Sequence, residues 1–407
     1  MTRRHLRYSP LLPALCVAAT ALVASGPALS AEKAKDAGDV AEAGRLRLVI
    51  SRSEQRVDVY RGLKLVTSSR ISSGKPGHAT PVGVYSILEK RKWHRSNIYS
   101  GAPMPFMQRI TWSGIALHAG HVPNYPASHG CIRLPKPFAQ KLFGMTEVGA
   151  DVILTAEPAR LTSIHDARLF QPLAPDAVVS SHEEPGDAEA VPPHVALADF
   201  EYLVDRMARY QNRSTQPLRI LVTRRTGRQR MMDIQSMLKE LGHDPGEIDG
   251  YLGGNTGGAI QSFQRATGAA PTGMVTDELV AALHKAVGRP EIKGHLYVRQ
   301  NRKPLFDAPV QIRDVEAPLG THVFSIADFE PGETNVSWMA LTVAGSHISS
   351  PREALDRIDI PQDLRTRISE LLMPGSSLVI TDDGIGRETG RGTDFIVQPK
   401  LQKLAQN

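Results

Sequence analysis

Cysteine is almost absent from this chain: 407 residues hold two, Cys16 and Cys131. Cys16 falls inside a leader-like opening, where Arg3, Arg4 and Arg7 precede an apolar run from Leu11 to Val23 and small residues around Ala28-Leu29-Ser30-Ala31. Residues 1–31 are therefore expected to be a secretory signal peptide, removed after Ser30 or Ala31 together with Cys16. Leu15, ahead of Cys16, is not the small residue of a lipoprotein signal, and the residues after Arg3-Arg4 fit twin-arginine export poorly. One thiol remains, and one thiol excludes an internal disulfide.

Long apolar runs are lacking too. Pro13 and Pro27 break up the leader, and no other segment approaches the roughly 20 apolar residues of a spanning helix. No transmembrane segment is expected in the mature chain. A strong charge excess is also missing, because the net +6 drops to +3 once the leader's three arginines are removed with no acidic residue. That balance excludes a nucleic-acid footprint and suits a partner carrying carboxylates or phosphates.

What is present divides into segments, and about 375 mature residues predict two or three domains. Residues 45–157 read as strand-rich: Leu46, Leu48 and Ile50 alternate, Val57, Val59 and Val66 follow, and Arg61-Gly62 and Ser73-Gly74-Lys75-Pro76-Gly77 are turns. Gly74-Lys75 lacks P-loop spacing, so no nucleotide is expected. Residues 158–228 read as linker, rich in Ala, Pro and acid, with one helix over about 196–209. In 229–288, Ile234, Met237, Leu238 and Leu241 follow helical spacing and Gly242 supplies a left-handed stop. A second helix carries Ala259, Ile260 and Phe263, and a third starts near Thr276 with Asp277 and Glu278 in its first turn. Over 292–400, Ala317 to Ile326 echoes Thr80 to Ile87, and Pro374 to Thr381 echoes Val148 to Thr155. Gly83 to Gly149 is 66 positions and Gly320 to Gly375 is 55, so the second copy is 11 residues shorter and holds no cysteine. The fold class expected is α+β and multidomain, with a β-rich first domain, a small three-helix domain and a degenerate β-rich copy of the first.

Cys131 sits in Ser128-His129-Gly130-Cys131-Ile132-Arg133, thirteen residues after His118 in Leu117-His118-Ala119-Gly120. A thiol is mostly protonated near neutrality, so a nucleophilic role needs a base, and either His118 or His129 could supply one. Gly130 would let backbone N–H groups face a developing oxyanion, and Arg133 suits a substrate carboxylate or a bidentate brace. His121 reads as a solvated loop residue. A zinc site built from His118, His121, His129 and Cys131 is disfavoured, because the Gly- and Pro-rich loop gives no helical face and His129-x-Cys131 is a close spacing. No metal and no cofactor are expected. Trp93, Tyr99, Met104-Pro105-Phe106-Met107 and Trp112 read as core plus a lid-like loop.

The Ser-His-Gly-Cys-Ile-Arg motif with its upstream histidine resembles the active-site signature of the L,D-transpeptidase (YkuD-like) family. Residues 231–287 resemble the three-helix peptidoglycan-binding domain, departing from it at Gly257 and Gly258 in the early second helix, where each glycine costs about 0.5 to 1 kcal/mol relative to alanine. The resemblance implies a chain exported to the periplasm or cell envelope and acting on peptidoglycan stem peptides. Cys131 would be the nucleophile, His118 the base oriented by a carbonyl near Ala119, and His129 and Gly130 would shape the oxyanion site. Arg133, Ser128, Tyr99 and Met104 would make up the substrate side of the site, with Ser128 hydrogen-bonding locally and Tyr99 and Met104 secondary candidates. The thioester would pass to an amine on a neighbouring stem peptide or on an anchored envelope protein, and a carbapenem would acylate the thiol. Two alternatives stay open: hydrolysis of the same thioester, as an L,D-carboxypeptidase or endopeptidase, and a non-enzymatic wall-binding scaffold.

Overall fold

The protein is described by a computed structural model over residues 45–97, 101–173, 214–327, 329, 333–345 and 347–399. The leader, Tyr99 and the helix expected over 196–209 lie outside the described residues.

Residues 45–155 build two sheets. Strands β1 (Leu46–Ser51), β2 (Arg56–Arg61), β3 (Lys64–Arg70) and β4 (Gly83–Ser86) precede four short strands, β5 (Glu89–Arg91), β6 (Met107–Arg109), β7 (Ala116–Ala119) and β8 (Ile132–Leu134). Helix α1 (Lys136–Met145) and strand β9 (Asp151–Thr155) complete the unit. The larger sheet runs β3-β2-β1-β9-β4, with β1 and β9 parallel and its other neighbours antiparallel. The smaller runs β5-β6-β7-β8, with β7 and β8 parallel. Helix α1 starts behind Pro135, carries a second proline in its first turn, and packs against β7 with Ala139 and Leu142 buried.

The alternation in β1 suits a strand with one solvated face, yet all six of its residues are buried. The second face is covered because Val49 shares one apolar core with Leu221, Val323, Leu341 and Val379 of the C-terminal sheet. Arg47 therefore lies between two sheets, 3.4 Å from Asp151, whose other oxygen is 3.0 Å from Arg219.

That C-terminal sheet begins earlier than the sequence suggests. Strands β10 (Thr162–Ile164) and β11 (Leu218–Arg224) come before the helices α2 (Gly227–Glu240), α3 (Gly254–Ala266) and α4 (Asp277–Val287). Then follow β12 (Gly294–Gln300), β13 (Lys303–Ile312), β14 (Thr321–Ile326), β15 (Trp338–Ala344), helix α5 (Pro351–Asp356), β16 (Ile358–Asp359), helix α6 (Gln362–Glu370) and β17 (Ser377–Thr381). The order is β10-β15-β14-β17-β11-β12-β13-β16. Within it, β13-β12-β11-β17-β14 reproduces β3-β2-β1-β9-β4 position by position, with β11 and β17 parallel and the remaining pairs antiparallel. The reading of 158–228 as linker is corrected at both ends: β10 pairs with β15, and the apolar run Leu218 to Val222 forms β11 at the centre of the sheet. The copy expected over 292–400 thus has its first strand on the far side of the helices.

The three helices are an insertion between neighbouring strands. The chain leaves β11 at Arg224 and re-enters β12 at Gly294, its register partner. Thr226 caps α2 in a reciprocal box with Gln229, and Thr276 caps α4. The helices bury their own small core, including Ile234, Leu238, Ile260, Phe263 and Leu283. Gly257 and Gly258 lie inside α3, with no neighbouring atom within 4 Å of a Cβ at either position.

Candidate active site

The parallel pair β7–β8 sets Leu117 opposite Ile132 and His118 opposite Arg133, so Cys131 enters β8 beside the start of β7. Gly130 turns the chain at φ +116°, a region that disfavours any side chain. Its carbonyl accepts from the Thr80 hydroxyl at 2.8 Å, and Thr80 accepts from the Gly74 N–H at 2.9 Å. The brace continues along 72–80. Lys75 N–H donates to Ser128 O at 2.9 Å, Ala127 and Ser128 N–H both donate to Ser73 O at 3.0 Å, and Ser72 and Arg133 exchange backbone bonds. Read from sequence as a plain turn, this segment is the frame of the cysteine loop.

His118 is 8% exposed, and its Nδ1 lies 2.9 Å from the Ala119 carbonyl. A carbonyl only accepts, so Nδ1 carries the proton and Nε2 the lone pair. Burial, with Arg133 adding to it, lowers the His118 pKa against the pull of the Ala119 carbonyl. Burial also pushes the Cys131 thiol up, opposed by a backbone hydrogen bond at Ala116 and by Arg109 and Arg133. Both shifts disfavour the charged form of the group concerned. The thiol donates to the Gly114 carbonyl at 3.6 Å.

A cavity of about 120 Å³ opens on the sulfur, lined by His94, Ser96, Asn97, Met104, Arg109, Ser113, Gly114, Ile115, His129 and Cys131. A two-stranded ribbon provides four of these residues. Arg95 pairs with Pro103, Ser96 N–H donates to Ala102 O, and Met104 N–H donates to His94 O. Met104 is buried in a small apolar cluster with Met107 and Ala116, against which Cys131 packs. Arg109, not singled out from sequence, is held by Glu89 at 2.9 Å.

The other expected site residues distribute differently. Ser128 is buried, and its hydroxyl donates to the Cys131 carbonyl while accepting the Gly130 N–H at 3.1 Å. It serves the loop and not the cavity, and the Gly130 N–H expected at an oxyanion is engaged there. Arg133 lies outside the cavity lining, its stem 3.2 Å from where a Cβ on Gly120 would stand. His129 is exposed with its ring 4.8 Å from that of His78, and Lys75, His78 and Arg133 help burial lower its pKa. Among the described residues no three His, Cys, Asp or Glu side chains converge on a metal position. None of the described helices is long and apolar enough to cross a membrane.

Two segments match family models: residues 45–154 match the YkuD L,D-transpeptidase catalytic domain, and residues 227–283 a peptidoglycan binding domain. Similar solved structures include the L,D-transpeptidase (Yku) from Stackebrandtia nassauensis, at 24% identity over 28% of this chain and 57% of its own, with a TM-score of 0.26. L,D-transpeptidase 1 from Mycobacterium tuberculosis is 27% identical over 27% and 61%, TM-score 0.24. L,D-transpeptidase 3 from the same organism, in complex with a faropenem-derived adduct, is 23% identical over 27% and 60%, TM-score 0.24. The chain spans 57% to 61% of these proteins' lengths. No curated protein gave a significant match.

Proposed function

We propose that this chain is a cysteine-dependent L,D-transpeptidase of the cell envelope, acting on peptidoglycan stem peptides. The observation that carries the reading is Cys131 in the lining of a cavity, immediately before a strand parallel to the one that holds His118 with Nδ1 on a carbonyl. His118 Nε2 takes the thiol proton as an acyl donor enters and displaces water, converting the pair into thiolate and imidazolium. The thiolate attacks the carbonyl of the third, diamino-acid residue of a tetrapeptide. Negative charge develops on the carbonyl oxygen, toward the backbone N–H of Cys131 on the loop turned by Gly130. The C–N bond to the terminal D-alanine breaks, and that amine leaves with the proton from His118. A second amine, on a neighbouring stem peptide or an anchored envelope protein, then attacks the thioester and frees the thiol.

The +3 mature charge and Arg109 in the cavity lining suit an anionic wall peptide. Export follows from the leader reading of 1–31, and wall retention is assigned to 227–283. A strained β-lactam carbonyl acylates such a thiol, so imipenem is expected to add its mass to the intact protein and not to Cys131→Ala. A wild-type protein that alkylates with iodoacetamide yet gains no mass with imipenem would contradict the reading.

A further inference from the structure

Beyond β17 the chain crosses back to the first unit. Phe395, Ile396 and Val397 are buried in the core shared by the two larger sheets. Val397 pairs antiparallel with Val84 on β4 through bonds of 2.8 and 3.1 Å. Asp394 faces Arg219 at 3.8 Å, and Arg299 donates to the Thr393 carbonyl at 3.2 Å. Residues 393–397 are therefore anchored in both units.

Just upstream, the tail grips the turn between β6 and β7. One Glu388 oxygen accepts the Trp112 N–H at 2.6 Å and the other the Ser113 N–H at 2.9 Å, while the Trp112 indole donates to the Arg391 carbonyl at 2.9 Å. Docking of the tail is already provided by its buried apolar residues. A carboxylate on two successive amides does something more specific, because charge-assisted bonds fix the orientation of that peptide unit. The same turn is a wall of the cavity. Ser113, Gly114 and Ile115 line it, and the Gly114 carbonyl accepts the Cys131 thiol.

We propose that Glu388 is a positioning residue for the Cys131 site: by holding the Trp112 and Ser113 amides it places the Gly114 carbonyl at the thiol and shapes the acyl-donor cavity. The C-terminal unit, which has no nucleophile, thereby supplies part of the active site. The inference deepens the acyl-transfer reading and rests on it. Charged or titratable groups reach the thiol region from each neighbouring element: Arg109 on β6, His118 on β7, His129 and Arg133 on the cysteine segment, and His94 on the ribbon. None of these is altered by a substitution at Glu388.

The test uses the full chain with Glu388→Ala, Glu388→Gln and, as control, Arg387→Ala at the exposed neighbouring side chain. Iodoacetamide alkylation of Cys131 is followed against pH, and imipenem acylation at fixed pH, with circular dichroism establishing that each variant is folded. A hydrogen bond from the thiol favours its neutral form, so Glu388→Ala should move the alkylation midpoint to lower pH. Acylation should slow about tenfold or more, because orientation in the cavity is lost. Glu388→Gln, which keeps one acceptor oxygen, should fall between, and it decides the matter if the alanine variant does not fold. Arg387→Ala should match wild type. Wild-type midpoint and acylation in a folded Glu388 variant, or an equal effect from Arg387→Ala, would overturn the proposal. Iodoacetamide reads the thiol whatever the natural substrate is, so failure of the transpeptidase reading would show as no acylation in any protein while the midpoint shift still decided the role of Glu388.

Discussion

The two sheet units share one strand order and differ in what is strung between the fourth strand and the return strand. In the first, β4 to β9 encloses the smaller sheet, the cysteine loop and α1; in the second, β14 to β17 encloses β15, α5, β16 and α6. Cys131 and His118 both lie in the enclosed part of the first unit, although residues 72–80 and Glu388 brace that part from outside it. The frames even solve one local problem alike. β4 buries Tyr85 with its hydroxyl donating to Pro81 O at 2.9 Å, and β14 buries His322 with Nε2 2.9 Å from Leu319 O. The groups differ in titration, since burial raises the Tyr85 pKa while it lowers that of His322 to about 4.

The sharpest way to break the comparison is at the base. His118→Ala should slow single-turnover acylation of Cys131 by about 10² to 10⁴, the usual worth of a general base, whereas His121→Ala on the exposed loop should leave it near wild type. Equal losses would move the base elsewhere. The next effect concerns the seam between the frames, where Asp151 is the carboxylate shared by Arg47 and Arg219. Asp151→Ala takes a carboxylate from two buried cations, of which Arg219 keeps Asp394 at 3.8 Å, and should cost about 1–3 kcal/mol in denaturant unfolding.

A pH effect separates the frames. The folded state holds His322 neutral down to about pH 4, while an unfolded histidine titrates near 6.5, so the unfolded chain binds the extra proton as pH falls. The stabilisation is complete above pH 6.5 and is lost as pH drops toward 4, to the extent of about 3 kcal/mol at 1.36 kcal/mol per unit. Urea unfolding of wild type and His322→Gln across that window should show a steeper loss in wild type, the slope left in the variant coming from other buried groups such as His118. The smallest effect on chemistry is expected from the insertion. Replacing 226–292 by a short Gly-containing turn joins Arg224 to Gly294, which already face each other, so β11 and β12 should close as a hairpin. Imipenem acylation should stay within twofold of wild type, while retention on isolated sacculi falls; undiminished pelleting would remove wall binding from the helical unit.

How much of this was legible in the sequence follows from distance along the chain. The cysteine loop and the helices α2 to α4 announce themselves because residue types and spacing lie within one short window, as with His118 to Cys131 or Ile234 to Leu241. The echo of β4 and β9 in β14 and β17 was readable for the same reason. Strand β11 was not, because the insertion of 227–287 separates it from every partner, and its apolar run Leu218 to Val222 is too short to identify a sheet. The brace at 72–80 and the grip of Glu388 on Trp112 were invisible for a different reason. They act through backbone amides and carbonyls, which carry no signature in residue type, and the Glu388 contact joins positions 276 apart. Ser128 shows the converse: its expected local hydrogen bonding could be read from the motif, because a sharply turned loop needs such a group for itself.

Under the proposed function Cys131 becomes acylated by a wall peptide, and the thiol-free second unit does not substitute for it. The most direct measurement is intact-protein and muropeptide mass analysis after incubation with a defined tetrapeptide, with and without an acceptor stem peptide. A transient Cys131 thioester lacking the terminal D-alanine is expected, with a crosslinked product when the acceptor is present, and neither in a folded Cys131→Ala protein. Turnover by Cys131→Ala equal to that of wild type would contradict the proposed function.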